Sequence, residues 1–288
     1  MKHHLTVNHL KPDCQNCFGL CCVALYFSKH DGFPTDKHAG VPCPNLAQDY
    51  TCSIHDKLSE QGLKGCIAYE CFGAGQQVSQ VTYGGGQGWR AQGEKHSSSE
   101  EMFNVFLIMK QLHEMCWYLH EALSYDILTP LSDEVQYPLN ETEKLTFASI
   151  DKLQALDLLV HHNKVSTIIN QVIQAIQAHI RQALSKTSSL KENKILNTKQ
   201  KRDFIGANLT KKELRCSDLH GCLLIAANLA GADLSGTNFI GADLRDANLR
   251  GANLTQSLFL TQMQINGAKG DQYTQLPASL SRPDHWAK

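Results

Sequence analysis

The 288-residue chain lacks any long hydrophobic run. No apolar segment approaches the roughly 20 residues that a membrane-spanning helix requires, so we predict no membrane span. The opening residues, MKHHLTVNHLKPDC, do not contain the apolar stretch of a secretory signal peptide. We therefore expect the protein in the cytoplasm, where thiols stay reduced.

An excess of either charge is also missing. The chain has 27 lysines and arginines against 28 aspartates and glutamates, which gives a net charge of −1 at pH 7. A dedicated nucleic-acid-binding domain carries a concentrated basic surface. The sequence has no such segment, and we predict no nucleic-acid partner.

Cysteine is present but unevenly spread. Eight of the eleven cysteines lie between residues 14 and 71, namely Cys14, Cys17, Cys21, Cys22, Cys43, Cys52, Cys66 and Cys71. Closely spaced pairs let one loop provide two thiolates to one ion, and distant cysteines complete its tetrahedral shell. In a reducing compartment this pattern indicates metal ligands or redox chemistry before disulfides, although disulfides stay an alternative.

The order of these cysteines resembles the zinc- or iron-chelating domain family that is named for its clustered cysteines and includes the flagellin lysine N-methylases. The resemblance covers about residues 14–75 and rests on the opening cluster, C-x-x-L at Cys43, C-x-I at Cys52 and the final pair. It implies bound zinc, with an iron–sulfur cluster as the alternative. His55 stands where the family often has an aromatic residue, so we do not count it as a ligand.

The eight cysteines could fill two four-cysteine sites, or one site with spare thiols. Adjacent residues on a chain do not point the same way. Cys21 and Cys22 could therefore serve different sites.

The middle of the chain has helical periodicity. A capping pattern at SSSEEMF and apolar residues from Met102 to Leu123 at spacings of three and four predict a helix through about Tyr125. We expect a loop containing Pro130 and Pro138, then helices over 145–160 and 165–184. His113, Cys116 and His120 share a face of the first helix, where core packing is favoured over metal binding.

From residue 202 onward, a large apolar residue recurs every five positions. The twelve central residues are Phe204, Leu209, Leu214, Leu219, Leu224, Leu229, Leu234, Phe239, Leu244, Leu249, Leu254 and Phe259. A period of five would scatter them around a helix and alternate them between the faces of a strand. A solenoid in which each pentapeptide forms one side of a square coil turns them all inward, with Asn or Asp supporting the turns.

This motif resembles the pentapeptide-repeat proteins over about residues 202–261, which implies a right-handed quadrilateral β-helix of three coils. Some members of that family act on DNA gyrase and imitate DNA through an acidic surface. Here six basic and six acidic side chains balance over the same residues. The gyrase hypothesis is therefore the weakest alternative.

Together these patterns predict a multidomain bacterial protein. Residues 1–97 form a cysteine-rich metal-binding domain of helical and irregular structure, 98–185 a helical bundle, 186–201 a linker, and 202–288 the repeat β-helix with a C-terminal cap. The predicted function is metal binding combined with a repeat scaffold for a protein partner. The alternative is an iron–sulfur enzyme or redox protein, but we identify no catalytic constellation.

Overall fold

A computed structural model describes residues 5–86, 88–90, 96–125, 131–185 and 202–287. The chain divides into two compact units, Met1–Asn170 and Gln171–Lys288. The predicted linker, residues 186–201, lies outside the described residues. Within the described ranges, no helix is both long and apolar enough to cross a lipid bilayer.

The N-terminal part of the first unit consists of short helices joined by turns. Its 3₁₀-helices are Val7–Leu10, Cys14–Asn16, Lys29–Asp31 and His55–Lys57. The α-helices are α1 (Leu20–Ala24), α2 (Lys64–Ile67) and α3 (Ala74–Gln76), and a π-helix, Gln77–Thr82, follows α3. A small apolar cluster of Phe27, Phe33 and Leu63 lies among these short elements, and Leu20, Val23 and Val78 are fully buried.

Longer helices complete the first unit. They are α4 (His96–Leu123), α5 (Ser132–Thr146), α6 (Ile150–Gln154) and α7 (Leu158–Ser185), which continues into the second unit. The helix that apolar spacing predicts through about Tyr125 is confirmed by α4, whose Met102, Phe106 and Met109 are fully buried. Helix α4 packs against α5 and α6, and also against α1 and α3.

Two expectations for this region are wrong. Pro138 lies inside α5 and not in a loop, while Pro130 lies outside the described residues. The helix expected over residues 145–160 is broken, because α5 ends at Thr146, α6 ends at Gln154 and α7 begins at Leu158. Apolar spacing continued across these breaks because residues of several short helices face the same core, so periodicity alone did not reveal the ends.

The second unit contains the five-residue repeats. All twelve central leucines and phenylalanines are buried, as the solenoid argument predicts. The small residues two positions before them, such as Ala227 and Ala247, are buried in the same core. Isolated parallel bridges, such as Asp203 with Leu223 and Asn228 with Asn248, join residues 20 apart. Four pentapeptides therefore complete one circuit of the chain.

The predicted right-handed quadrilateral β-helix is wrong as a description of this region. The described residues form no β-strand and no sheet; the ladder pairing between successive circuits is limited to isolated bridges one residue long. The reason lies in the turns, because a left-handed residue occurs every five positions from Gly206 to Gly251. With a turn in every pentapeptide, the extended part of each side is too short to be a strand.

The residues after the repeats pack on the same core. Thr261 caps the N-terminus of helix α8 (Gln262–Gly267), because its side chain accepts a hydrogen bond from the backbone N–H of Gln264. Ile265 and Trp286 join the buried cluster, and the Trp286 indole donates to the Ala268 carbonyl oxygen at 2.9 Å. The tail therefore shields part of this core from solvent.

Candidate metal centre

The opening cysteine cluster is held by two short helices. Asp13 caps the 3₁₀-helix Cys14–Asn16 by accepting a hydrogen bond from the Asn16 N–H. Gly19 then adopts a left-handed conformation, with φ of 62°, and a Cβ there would lie 2.5 Å from Leu46 Cδ1. Glycine at this position therefore lets the chain reverse into α1, which carries Cys21 and Cys22.

The segment around Cys71 lies against this opening cluster. The Phe18 N–H donates to Ser79 Oγ at 2.9 Å, and Gln80 Nε2 donates to the Asn16 carbonyl oxygen at the same distance. A Cβ on Gly75 would lie 2.6 Å from Cys17 Sγ. Because the Ala74 N–H donates to the Cys71 carbonyl oxygen at 3.0 Å, the turn that contains Cys71 is adjacent to the loop that contains Cys17.

A second group of contacts gathers the remaining cysteines. The Cys43 N–H donates to the Cys22 carbonyl oxygen at 2.9 Å. Cys52 forms an antiparallel bridge with Leu46, three residues after Cys43. Cys43 and Cys66 both pack against the apolar cluster of Phe27, Phe33 and Leu63.

Every cysteine of the chain is free in this structure. Burial raises the pKa of the Cys17 and Cys71 thiols to about 11 and that of Cys66 to about 12. Cys21 Sγ and Cys22 Sγ lie 4.0 Å apart and share a hydrogen bond, which raises the pKa of Cys21 and lowers that of Cys22. Buried thiols of this kind ionise when a cation replaces the missing solvation.

A buried lysine, which sequence reasoning missed, accompanies the second group. Lys37 is only 5% exposed, and its ammonium donates to the Val23 carbonyl oxygen at 2.9 Å and to that of Leu25. Burial lowers the pKa of Lys37, and the thiolates of Cys22 and Cys43 oppose that shift. One lysine among many gives no sequence signal, since its burial depends on the fold.

Two further polar groups lie near Cys71. Burial raises the pKa of Glu70 to about 7. The Tyr69 hydroxyl is buried and has no hydrogen-bond partner among the described residues. Burial raises the pKa of this phenol, and the charges of Cys21 and Cys71 raise it further. An unpaired buried hydroxyl is costly, and a nearby thiolate is an acceptor that it could use.

The other candidate ligands have structural surroundings. The His113 ring is fully buried with Nδ1 2.7 Å from the Phe72 carbonyl oxygen. His120 Nε2 lies 3.4 Å from Glu143 Oε1, and Cys116 is buried. His55 pairs with Asp56 at the surface, with 3.5 Å between Nδ1 and Oδ1. The contacts of His113, Cys116 and His120 agree with a packing role for these side chains on α4. His55 lies at the surface, paired with Asp56.

The donor chemistry of the cysteine cluster fits a thiophilic metal. Eight free thiols lie within one small region, and soft thiolates favour zinc or iron–sulfur iron. Among the described residues, no three His, Cys, Asp or Glu side chains are already arranged to hold an ion. Metal binding would therefore require rotation of cysteine side chains about their Cα–Cβ bonds.

Comparison with known proteins identifies the repeat region. Residues 217–256 match the Pentapeptide repeats family in eight copies, fewer than the twelve units counted from the sequence. The C-terminal region is thus a pentapeptide-repeat region. Over 277 residues the chain is 48% identical to the uncharacterized protein YybG of Bacillus subtilis strain 168, which covers 96% of this chain and 95% of that protein. The chain therefore belongs to the same family as YybG.

These comparisons support only one of the two predicted resemblances. The pentapeptide repeats are confirmed. The resemblance of the N-terminal region to the cysteine-cluster family is not confirmed, and the eight cysteine ligands stay a prediction.

Proposed function

We propose that this protein binds zinc through its N-terminal cysteines and presents its pentapeptide repeats to a protein partner in the cytoplasm. The observation that carries the metal proposal is the grouping of eight free thiols within residues 14–71, on short helices joined by turns. The binding free energy of a metal that cross-links such segments adds to the stability of the fold. A structural zinc would hold these loops together.

Zinc is the favoured metal because it accepts four thiolates in a closed tetrahedral site and needs no further partner. An iron–sulfur centre uses the same thiolates, and it is the second candidate. Metal content distinguishes them. Protein purified without oxygen and containing stoichiometric zinc, without colour, supports the proposal. Brown protein that contains iron and labile sulfide would contradict zinc and support an iron–sulfur cluster. Protein that contains no metal would contradict metal binding.

The scaffold proposal rests on the order of the repeat surface. Before nine of the twelve central residues stands an Asn or Asp whose side chain accepts a hydrogen bond from the backbone two residues on, as Asn228 does from Ala230 at 3.2 Å. Adjacent circuits are linked by side chains, with Asn238 Nδ2 donating to Asp218 Oδ1 at 2.8 Å. Turns fixed by their own side chains lose little entropy on binding, which suits a docking surface.

An apolar spot on this surface offers a contact for the partner. Ile205 is 53% exposed and Leu223 is 42% exposed. The two are close, because the Phe204 N–H donates to the Leu223 carbonyl oxygen at 2.8 Å. Basic and acidic side chains balance over the repeats, so neither a DNA mimic nor a nucleic-acid surface is favoured.

The scaffold proposal is tested by cross-linking and affinity purification with the full chain. We expect the double variant Ile205→Asp, Leu223→Asp to lose a partner that the unaltered protein captures reproducibly. Tyr273→Asp is the control, since Tyr273 is 69% exposed and lies after the repeats. Equal capture by all three proteins, or capture by none, would contradict a docking role for this spot.

A further inference from the structure

We infer that the eight cysteines form two separate metal sites, each with four thiolates. The first site consists of Cys14, Cys17, Cys21 and Cys71. The second site consists of Cys22, Cys43, Cys52 and Cys66. This inference rests on the proposed metal binding and goes beyond it, because it assigns every thiol to one of two ions.

The backbone joins the members of the second site. The Cys43 N–H donates a hydrogen bond to the Cys22 carbonyl oxygen at 2.9 Å. The loop after Cys43 returns on itself, with the Ser53 N–H donating to the Asn45 carbonyl oxygen at 2.9 Å, which places Cys52 beside Cys43. Cys66 reaches the same place from α2, where it packs with Cys43 on the Phe27 cluster.

The electrostatic contacts within the second site agree with this placement. After burial, which is the first cause, the charges of Cys22, Cys43 and Cys52 raise the pKa of Cys66. Burial is also the main cause that raises the pKa of the Cys52 thiol, and the charges of Cys22 and Cys43 raise it further. These four thiols are therefore neighbours, and rotation of their side chains about the Cα–Cβ bonds would bring the sulfurs to one cation.

The first site is built by the contact between the opening loop and the segment that follows Cys71. The Cys17 N–H lies 3.5 Å from the Cys14 carbonyl oxygen, so both cysteines belong to one tight turn. Cys17 Sγ lies 2.6 Å from the position that a Cβ on Gly75 would occupy, and Gly75 follows the turn that begins at Cys71. Burial is the main cause that raises the pKa of the Cys17 thiol, and the charge of the Cys71 thiolate raises it further.

Helix α1 explains how neighbouring cysteines can belong to different sites. Consecutive helical residues are rotated by about 100° from each other. Cys21 interacts with Cys17 and Cys71 of the first site as well as with its neighbour Cys22. The 4.0 Å between the two sulfurs and the influence of Cys22 and Cys52 on Cys14 make the two sites neighbours.

The surroundings of the two sites differ in charge. The buried ammonium of Lys37 interacts with three members of the second site, Cys22, Cys43 and Cys66, and with Cys21. An ion with four thiolates carries a net negative charge, which a buried cation stabilises. Next to the first site is the Glu70 carboxyl group, which repels the Cys71 thiolate when it is ionised. The difference predicts that Zn²⁺ leaves the first site before the second.

The test counts zinc in the full chain, reduced and purified without oxygen. We expect two Zn²⁺ per chain for the unaltered protein and about one for Cys17→Ser or Cys66→Ser. The within-site double variant Cys17→Ser, Cys71→Ser should still keep about one ion, whereas the cross-site variant Cys17→Ser, Cys66→Ser should keep none. Loss of both ions from the within-site variant, or retention of one by the cross-site variant, would overturn the assignment.

Thiol labelling of the unaltered protein tests the same assignment without substitution, in case a serine variant fails to fold. A chelator is added in steps, and newly accessible cysteines are alkylated and mapped by mass spectrometry. We expect Cys14, Cys17, Cys21 and Cys71 to become labelled together, before the other four. Simultaneous labelling of all eight, or sets with other members, would refute the two-site assignment.

These experiments separate the inference from the function beneath it. One Zn²⁺ per chain in the unaltered protein would overturn the two-site inference and leave the proposed metal binding intact. Protein that binds no Zn²⁺ even after titration would contradict the proposed function itself. Co²⁺ substitution gives an independent count, because each tetrahedral thiolate site adds its own sulfur-to-metal absorption.

Discussion

Gln177 Nε2 in helix α7 donates a hydrogen bond to the Gly236 carbonyl oxygen at 2.9 Å. Both residues belong to the second unit, so the last part of α7 is tied to the repeats. Arg181 adds a contact at the same place, where its guanidinium donates to the Cys216 carbonyl oxygen at 3.2 Å. The repeats are therefore packed against a helix that ends more than 15 residues before them and has no repeat pattern.

Gly236→Ala should weaken this attachment. A Cβ at Gly236 would lie 2.8 Å from Ile180 Cδ1 and 3.0 Å from Cys216 Sγ, so the Ile180 side chain of α7 must move from its packed position. We expect a loss of about 1 kcal/mol beyond the cost of the left-handed conformation, measured by denaturant unfolding. Gly241→Ala is the matched control, with φ of 62° and open space around it. Equal losses for both variants would show that the helix contact contributes nothing.

Ala226→Gly should stabilise the repeats. Ala226 has φ of 55°, a conformation that costs an L-residue about 1–2 kcal/mol. Glycine avoids this cost and loses roughly 0.5–1 kcal/mol of backbone entropy, so a net gain of up to about 1 kcal/mol is expected in thermal or denaturant unfolding. Ala227→Gly should instead destabilise, since the Ala227 methyl group is fully buried. Destabilisation by Ala226→Gly would contradict the turn geometry.

Lys37→Met should weaken zinc binding at the second site only. The substitution keeps most of the side-chain volume but removes the ammonium that interacts with Cys22 and Cys43. We expect about tenfold weaker binding of one of two Zn²⁺ ions, or about 1.4 kcal/mol, in a competition titration with a chelator. Lys57→Met, at an exposed position, should change neither ion. Equal weakening of both ions would contradict a local role for Lys37.

Loss of the two Lys37 hydrogen bonds should also destabilise the fold. The Val23 carbonyl oxygen keeps a second donor, the Gly40 N–H at 2.8 Å. The contact to the partly buried Leu25 carbonyl oxygen is lost, and we expect a cost of about 1 kcal/mol, the low end of the range for a buried acceptor left without a partner. Lys37→Met should therefore unfold at lower denaturant concentration than Lys57→Met. Identical midpoints would show that water replaces the ammonium.

His113 should make stability depend on pH. Burial lowers the pKa of His113 to about 4, against about 6.5 in the unfolded chain. The unfolded state therefore binds the proton first, and stability is fully present above pH 6.5 and declines as the pH falls towards 4. The expected loss is about 3 kcal/mol by pH 4.

The measurement compares denaturant unfolding of the unaltered protein with that of His113→Gln between pH 7.5 and pH 4. Metal release at low pH affects both proteins, so the difference between them isolates His113. The pH dependence should be smaller in the variant by the stated amount. His162→Gln, at an exposed position, should behave as the unaltered protein. Parallel curves for all three proteins would show that His113 stays solvated.

Periodicity was informative where the pattern was regular. The five-residue spacing predicted that all twelve central residues are buried, and each of them is. It also predicted Asn and Asp turns, which the hydrogen bonds of Asp218 and Asn228 confirm. Spacing could not predict that the described repeats form no sheet, because the number of extended residues per side depends on the turn conformation. Lys211, Cys216, Ala226 and Asp246 adopt positive φ without being glycine, which sequence alone does not indicate.

The sequence by itself determined the repeat, its buried residues and the identity of eight candidate metal ligands, because these depend on residue type and spacing along the chain. Only the tertiary structure brought Cys71 beside Cys17, hydrogen-bonded Cys43 to Cys22 and buried Lys37 nearby. Such contacts join residues 14 to 58 positions apart. They depend on how glycine turns and short helices fold back on one another, and one-dimensional spacing carries no record of that path.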